Sequence, residues 1–290
     1  MLRISLLCTF AAVAALAAPS SAGAATAQYY VSLGDSYASG YQPTSEAGGT
    51  RNGFAYQLPG LAAKRGYKLK LVNFGCGGAT SSSILSEKLA ANARCKGPGA
   101  PRYTGTQVAA AERFLKANKG KVGLITVSIG GNDITKCARQ ADAVTCVGTS
   151  LPQVEKNLAT LLKRLRKAGG SKVRLVGITY PDVILGQWVG ENPNQDLAKL
   201  SVAAFQSLIN PALKKTYEAV GGRFVDVTQA TGAYTPLEQT VDFPPYGTIP
   251  VAVAEVCRLS FYCSKRDIHP TTPGYRIIAE LVAGTLPRRR

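Results

Sequence analysis

Two hydrophobic rhythms alternate along the chain, short runs apolar on both faces and longer stretches apolar on one face only, and together they predict an α/β protein. The run from Tyr29 reads as a first strand and breaks at Gly34, Asp35 and Ser36, where a strand-to-helix turn is expected. Phe54 to Arg65 has helical spacing, with Pro59 expected to interrupt or kink it, and Tyr67 to Phe74 follows as a second strand. That strand ends in Gly75-Cys76-Gly77-Gly78-Ala79-Thr80, whose glycines let backbone approach another group closely. Thr106 to Asn118 reads as a helix with Val108, Ala111, Phe114 and Leu115 on one face and Gly120 as its stop. Val122 to Ile129 is apolar on both faces, as a central parallel strand is, and leads into Gly130-Gly131-Asn132-Asp133.

The rhythm repeats downstream. A helix from Pro152 to Ala168 carries Val154, Leu158, Leu161, Leu162 and Leu165 as its stripe, and Lys172 to Thr179 is a fourth strand. A long helical pattern from Asn194 to Val220 is expected to kink near Pro211, and Arg223 to Val227 gives a fifth strand. Thr228 to Lys265, rich in Pro and Tyr, reads as irregular, and Pro273 to Leu286 as a terminal helix. Each parallel crossover needs a helix, so the prediction is a three-layer α/β/α sandwich with a five-stranded parallel sheet. A flavodoxin-like order 2-1-3-4-5 sets the carboxyl ends of the first three strands side by side at the switch point, where ligands bind.

Composition adds a compartment. Arg3, an apolar run from Ile4 to Ala18 and small residues through Ala27 read as an export signal over residues 1–27, too short to span a bilayer, with cleavage after Ala24 or after Ala27. The remainder, residues 28–290, shows no linker or repeat and is expected to form one domain, secreted, free and monomeric. Setting aside Cys8 leaves Cys76, Cys95, Cys137, Cys146, Cys257 and Cys263, an even set in an exported chain, which implies disulfides. Of the 15 pairings that six cysteines allow, the sequence-local ones close short loops and are entropically easiest: Cys76 with Cys95, Cys137 with Cys146, Cys257 with Cys263. A metal site is disfavoured, because the chain has no C-x-x-C and a single histidine. No cofactor is expected.

The formal net charge is +17. The basic residues are scattered over predicted helices (Lys156, Lys163, Arg164, Arg166, Lys167, Lys214, Lys215) and at Arg288 to Arg290, with no nucleic-acid motif among them, so they read as a solvated surface. Such a charge still draws a protein toward anionic envelopes or lipid surfaces, an attraction that salt weakens.

The candidate chemistry centres on Ser36 and the sole histidine, His269. Gly-Asp-Ser taken alone is a polar turn with Ser36 as a helix cap, and a lone histidine is more often structural. Together they offer more: a serine hydroxyl becomes a nucleophile once a base takes its proton, and an imidazole held in one tautomer by an acid or a carbonyl performs that task. The oxyanion formed on attack needs donors, and Ser36 N–H, a glycine N–H of the Cys76 to Ala79 turn and the Asn132 amide are the candidates.

The four stretches Gly34-Asp35-Ser36, Gly77-Gly78-Ala79-Thr80, Gly130-Gly131-Asn132-Asp133 and Asp267-Ile268-His269-Pro270 resemble the four blocks of the SGNH, or GDSL, hydrolase family, in order, over residues 29 to 285. The cysteine couples are similar to those of its secreted actinobacterial lipases and esterases. The resemblance implies Ser36 as nucleophile and first oxyanion donor, Gly78 as second donor, Asn132 as third and His269 as base, on a softer turn than the G-x-S-x-G elbow. It also exposes a departure. The family's acid stands three residues before the histidine, where this chain has Arg266, and Asp267 lies at minus two, so either the Asp267 side chain or a backbone carbonyl from Lys265 to Asp267 orients the ring. The function this implies is a secreted esterase or lipase acting on small-molecule or lipid esters. The rival readings are a polysaccharide deacetylase of the same chemistry and a non-catalytic surface binder on the same fold. Tyr234, Phe243, Tyr246, Phe261 and Tyr262 are the candidates for lining an acyl channel.

Overall fold

The computed structural model describes residues 26–44, 49–87, 95 and 97–289. The export segment expected at 1–27 therefore lies, apart from Thr26 and Ala27, outside the described residues, as do Cys8 and Arg290.

Five parallel strands form the central sheet: β1 (Gln28–Gly34), β2 (Leu69–Asn73), β3 (Val122–Ser128), β4 (Arg174–Ile178) and β5 (Arg223–Val225), in the order β2-β1-β3-β4-β5. This is the predicted order. Every residue of β3 is buried, which is why its sequence carries no polar alternation. The pleat sends neighbours to opposite layers: Val31 and Leu33 join a core with Val108, Leu115, Leu158 and Leu162, whereas Tyr30 joins Phe54, Leu58, Tyr275 and Ile278 on the other side. The register runs Tyr30↔Leu124 to Gly34↔Ser128 between β1 and β3, so the turns that follow Gly34 and Ser128 emerge together.

Several helices depart from expectation. Helix Phe54–Ala63 runs through Pro59 without a break, because Phe54, Ala55, Leu58 and Ala62 are packed in the core and compensate for one missing hydrogen bond. The helix expected from Pro152 begins at Ala143, where Asp142 caps Thr145 N–H, and it runs to Gly169. Pro152 is tolerated inside it because the carbonyl deprived of a partner, that of Gly148, sits at an exposed residue. Consequently the expected Cys137 to Cys146 loop is a tight turn at Lys136–Arg139 joined to a helix. The pattern from Asn194 to Val220 resolves into helix Gln195–Ala204, a π-helical turn Phe205–Ile209 and helix Asn210–Glu218, with the wide turn set just ahead of Pro211. The stretch 228–265 is not irregular. It folds as a hairpin of β6 (Thr240–Asp242) and β7 (Thr248–Pro250), then helices Val251–Leu259 and Tyr262–Lys265, whose apolar residues pack with Leu185 and Val189.

Disulfides join Cys76 to Cys95, Cys137 to Cys146 and Cys257 to Cys263. Among the described residues no helix is long and apolar enough to cross a membrane.

Candidate active site

β1 ends in a backbone turn that only glycine can make. Gly34 has φ +137°, and a Cβ there would lie 1.9 Å from the Ser128 carbonyl oxygen. The buried Gln107 amide clamps this glycine from both sides, accepting from Gly34 N–H at 2.8 Å and donating to Gly34 O at 2.9 Å. Asp35 then caps helix Ser36–Ser39 by accepting from Tyr37 N–H at 2.9 Å, so the cap is Asp35 and Ser36 is the first helical residue. Tyr180 donates its hydroxyl to the second Asp35 oxygen at 2.6 Å. Burial pushes the Asp35 carboxyl up to about 7, against the pull of the Tyr180 and Tyr37 hydrogen bonds.

With the cap supplied by its neighbour, the Ser36 hydroxyl is free for another partner. Its Oγ lies 2.7 Å from His269 Nε2, across 233 residues of sequence. His269 Nδ1 lies 2.7 Å from Asp267 Oδ1, and the same oxygen accepts the His269 backbone N–H at 2.9 Å. That is an Asx turn, which ties the aspartate to the backbone two residues on and so delivers its carboxylate to the ring from position minus two. Burial alone would raise the Asp267 carboxyl, but the His269 hydrogen bonds hold it below its ordinary value. Position minus three does different work. Arg266 adopts φ 53° and donates its guanidinium to the carbonyls of Gly186 and Val189, at 3.2 and 2.9 Å.

The histidine segment is held from several directions. Phe261 N–H donates to His269 O at 3.0 Å, Thr271 N–H to Leu259 O at 2.9 Å, and Tyr37 O–H to Ile268 O at 2.6 Å. The imidazole also packs against Tyr41, with ring centroids 4.4 Å apart.

Asn132 opens the turn after β3, where Gly131 leaves room for the Tyr180 ring, whose nearest atom a Cβ would meet at 2.7 Å. Its amide Nδ2 donates to Ala79 O at 2.9 Å, using one of its two hydrogens. Asp133 grips the same neighbouring turn, accepting from Ser81 N–H and Ser81 Oγ, both at 2.8 Å. Gly78 lies on that turn at φ 70° and is exposed.

A cavity of about 350 Å³ opens beside these residues, bordered by Ser36, Asn132 and Ile268. Gly78 is not among its lining residues. The rest of its wall is mostly apolar and comes largely from helices of the 131–213 region, including Val147, Leu151, Val154, Ile184, Leu197 and Leu213. None of the aromatics expected to line an acyl channel reaches it. They pack elsewhere: Phe243 stacks on Tyr246, the Tyr262 hydroxyl accepts from Gln187, and the Tyr234 hydroxyl accepts from Asn210. Among the described residues no group of three His, Cys, Asp or Glu side chains is placed to hold a metal ion.

The sequence left Gln107, Tyr37, Tyr180, Ser81 and Asp133 without roles. Only Asp133 carried any signal, by its place in the Gly130 to Asp133 turn.

A family model described as the GDSL-like lipase/acylhydrolase family matches residues 32–277. Among solved structures the chain is similar to phospholipase A1 from Streptomyces albidoflavus NA297, with 17% identity and a TM-score of 0.55 over 90% of this chain and 99% of that one. It is also similar to an extracellular lipase from Streptomyces rimosus, with 17% identity and a TM-score of 0.48 over 89% of this chain and 99% of that one. A search of curated protein sequences finds no match.

Proposed function

The chain belongs to the GDSL-like lipase/acylhydrolase family, and we propose that it is an exported, monomeric serine ester hydrolase that cleaves esters of apolar acyl chains through an acyl-enzyme on Ser36. The observation that carries this reading is the hydrogen-bonded line Ser36–His269–Asp267 opening onto an apolar cavity.

In the first half-reaction His269 Nε2 takes the Ser36 proton as Oγ attacks the ester carbonyl carbon. Asp267, kept ionised by its two hydrogen bonds from His269, balances the imidazolium and holds its ring. The carbonyl oxygen becomes an oxyanion that meets Ser36 N–H, one of the donors a helix start leaves without an intrahelical partner. Asn132 adds its second amide hydrogen, the first being bound to Ala79 O, and Gly78 N–H completes the set. Collapse breaks the carbon–oxygen bond to the alcohol, whose oxygen takes the proton from His269. Water then attacks the acyl carbon, His269 accepts its proton, and Ser36 recovers that proton as the acid departs.

The cavity supports an acyl chain rather than an acetyl group. At roughly 30 Å³ for a water-sized group, its volume accommodates on the order of ten chain carbons, far more than acetate fills. This favours lipid-like esters over acetylated polysaccharide. Export is supported by the three disulfides, which persist in oxidising compartments. A chain-length series of soluble nitrophenyl esters tests the reading: kcat/KM rises from acetate toward medium chains. Flat dependence on chain length, with acetate release from acetylated polymer, would replace it by the deacetylase reading.

A further inference from the structure

Three large hydrophobic side chains stand out among the described residues as exposed: Val144 at 49%, Leu200 at 47% and Leu208 at 43%. Scattered single apolar residues on a surface need no explanation. These are not scattered. All three belong to the lining of the cavity that Ser36 borders, although they come from separate elements, helix Ala143–Gly169, helix Gln195–Ala204 and the π-helical turn Phe205–Ile209. The exposed Ala203 and Ser207 line the same cavity on the latter two elements. Among the described residues, the large apolar side chains that are left exposed thus all border the proposed substrate cavity.

Charge near the mouth favours a particular kind of partner. Of the three acidic residues on the rim elements, Asp142 is held by Thr145 N–H and Oγ1, Asp196 lies 3.7 Å from Lys199, and Glu155 lies about three turns into helix Ala143–Gly169, next to Lys156 in sequence. Lys136 and Arg139, on the turn that contributes Cys137 and Ala138 to the cavity, are exposed. The chain as a whole carries +17. An apolar rim with cations beside it, on a strongly basic protein, matches a surface that is anionic at its headgroups and hydrocarbon beneath.

We propose that Val144, Leu200 and Leu208 form a docking rim that seats the cavity mouth on an anionic lipid surface, so that an ester's acyl chain passes from the lipid phase into the cavity without crossing water. The proposal rests on the ester-hydrolase reading of the cavity for its functional meaning. The docking step itself needs no turnover. Long-range attraction by the net charge brings the protein to the surface, and insertion of the three side chains fixes its orientation.

The test uses Ser36→Ala protein, which cannot turn lipid over, and measures sedimentation with phosphatidylcholine vesicles prepared with and without phosphatidylglycerol. Binding is expected to the phosphatidylglycerol-containing vesicles, and the added pair Leu200→Gln and Leu208→Gln should weaken it at least tenfold, since each buried leucine contributes about one power of ten. A Ser207→Leu change, which enlarges the rim, should tighten binding; loss of fold cannot imitate that gain. Equal binding by all three proteins, abolished by salt, would show that net charge alone adsorbs the molecule and would overturn the rim. Absence of vesicle binding alongside wild-type hydrolysis of soluble esters would refute docking and leave the enzyme reading intact. Rim-dependent binding without any ester hydrolysis would do the reverse.

Discussion

Replacing Asp267 by Asn removes a charge while keeping the shape of the side chain. The asparagine oxygen can still accept the His269 backbone N–H and the ring Nδ1–H, now 2.9 and 2.7 Å from the carboxylate oxygen. In the proposed mechanism, what is lost is the charge-assisted part of the contact with the imidazolium formed as Ser36 gives up its proton. Hydrogen bonds to charged groups contribute about 1.5–3 kcal/mol, and each 1.36 kcal/mol is a factor of ten in rate, so kcat should fall by about tenfold to a hundredfold. The loss should stay below the roughly ten-thousandfold of a fully buried triad acid, because the Asp267 side chain is 23% exposed and water screens its charge. Steady-state hydrolysis of a soluble nitrophenyl ester measures it, with thermal melting as the check on folding. An Asp267→Asn enzyme with unchanged kcat would refute the reasoning and leave a Ser36–His269 dyad oriented by backbone.

Asn132→Ala should lower kcat by about a hundredfold with little change in KM if, as proposed, its amide meets the oxyanion chiefly in the transition state; a loss confined to KM would move Asn132 to ground-state binding. Buried Asp182 accepts from Ser201 Oγ at 2.7 Å and Ile184 N–H at 3.2 Å, and burial pushes its carboxyl up to about 7 from 3.8. Its folded value lies above its unfolded one, so the unfolded state releases this proton first and stability drops as pH rises from about 4 to 7. Asp182→Asn should therefore flatten the decline of melting temperature across that window, and an unchanged slope in a thermal-melt series would contradict the assignment.

Much of this site was readable because its parts are marked locally. Glycine turns punctuate the ends of β1, β2 and β3, and the strand order brings those ends together, so Ser36, the Gly77 to Thr80 turn and Asn132 were legible as neighbours. Asp267 was only half legible: the sequence left its side chain and a backbone carbonyl from Lys265 to Asp267 as alternatives, and the Asx turn that brings its Oδ1 to 2.7 Å from His269 Nδ1 appears only in the folded chain. The clamps were not legible. Gln107 on Gly34, Tyr180 on Asp35 and Tyr37 on Ile268 join residues 73, 145 and 231 positions apart, and each is an ordinary polar or aromatic residue until the fold supplies its partner. The cavity was hidden for a related reason. Val147, Leu151 and Val154 continue the stripe by which their helix packs on the sheet, and nothing in an apolar pattern separates a residue that fills a core from one that borders an opening. The aromatics of the Thr228 to Lys265 stretch misled because they have closer work, packing a hairpin and two helices together.

The central claim is that Ser36 is the nucleophile, activated by His269 across 2.7 Å. Its most direct test is covalent: incubate the protein with an alkyl fluorophosphonate carrying a medium chain and map the adduct by peptide mass spectrometry. The account predicts a single phosphonyl adduct on Ser36, no labelling of Ser36→Ala, and strongly slowed labelling of His269→Ala. An unlabelled wild-type protein, or an adduct on another residue that persists in Ser36→Ala, would contradict it.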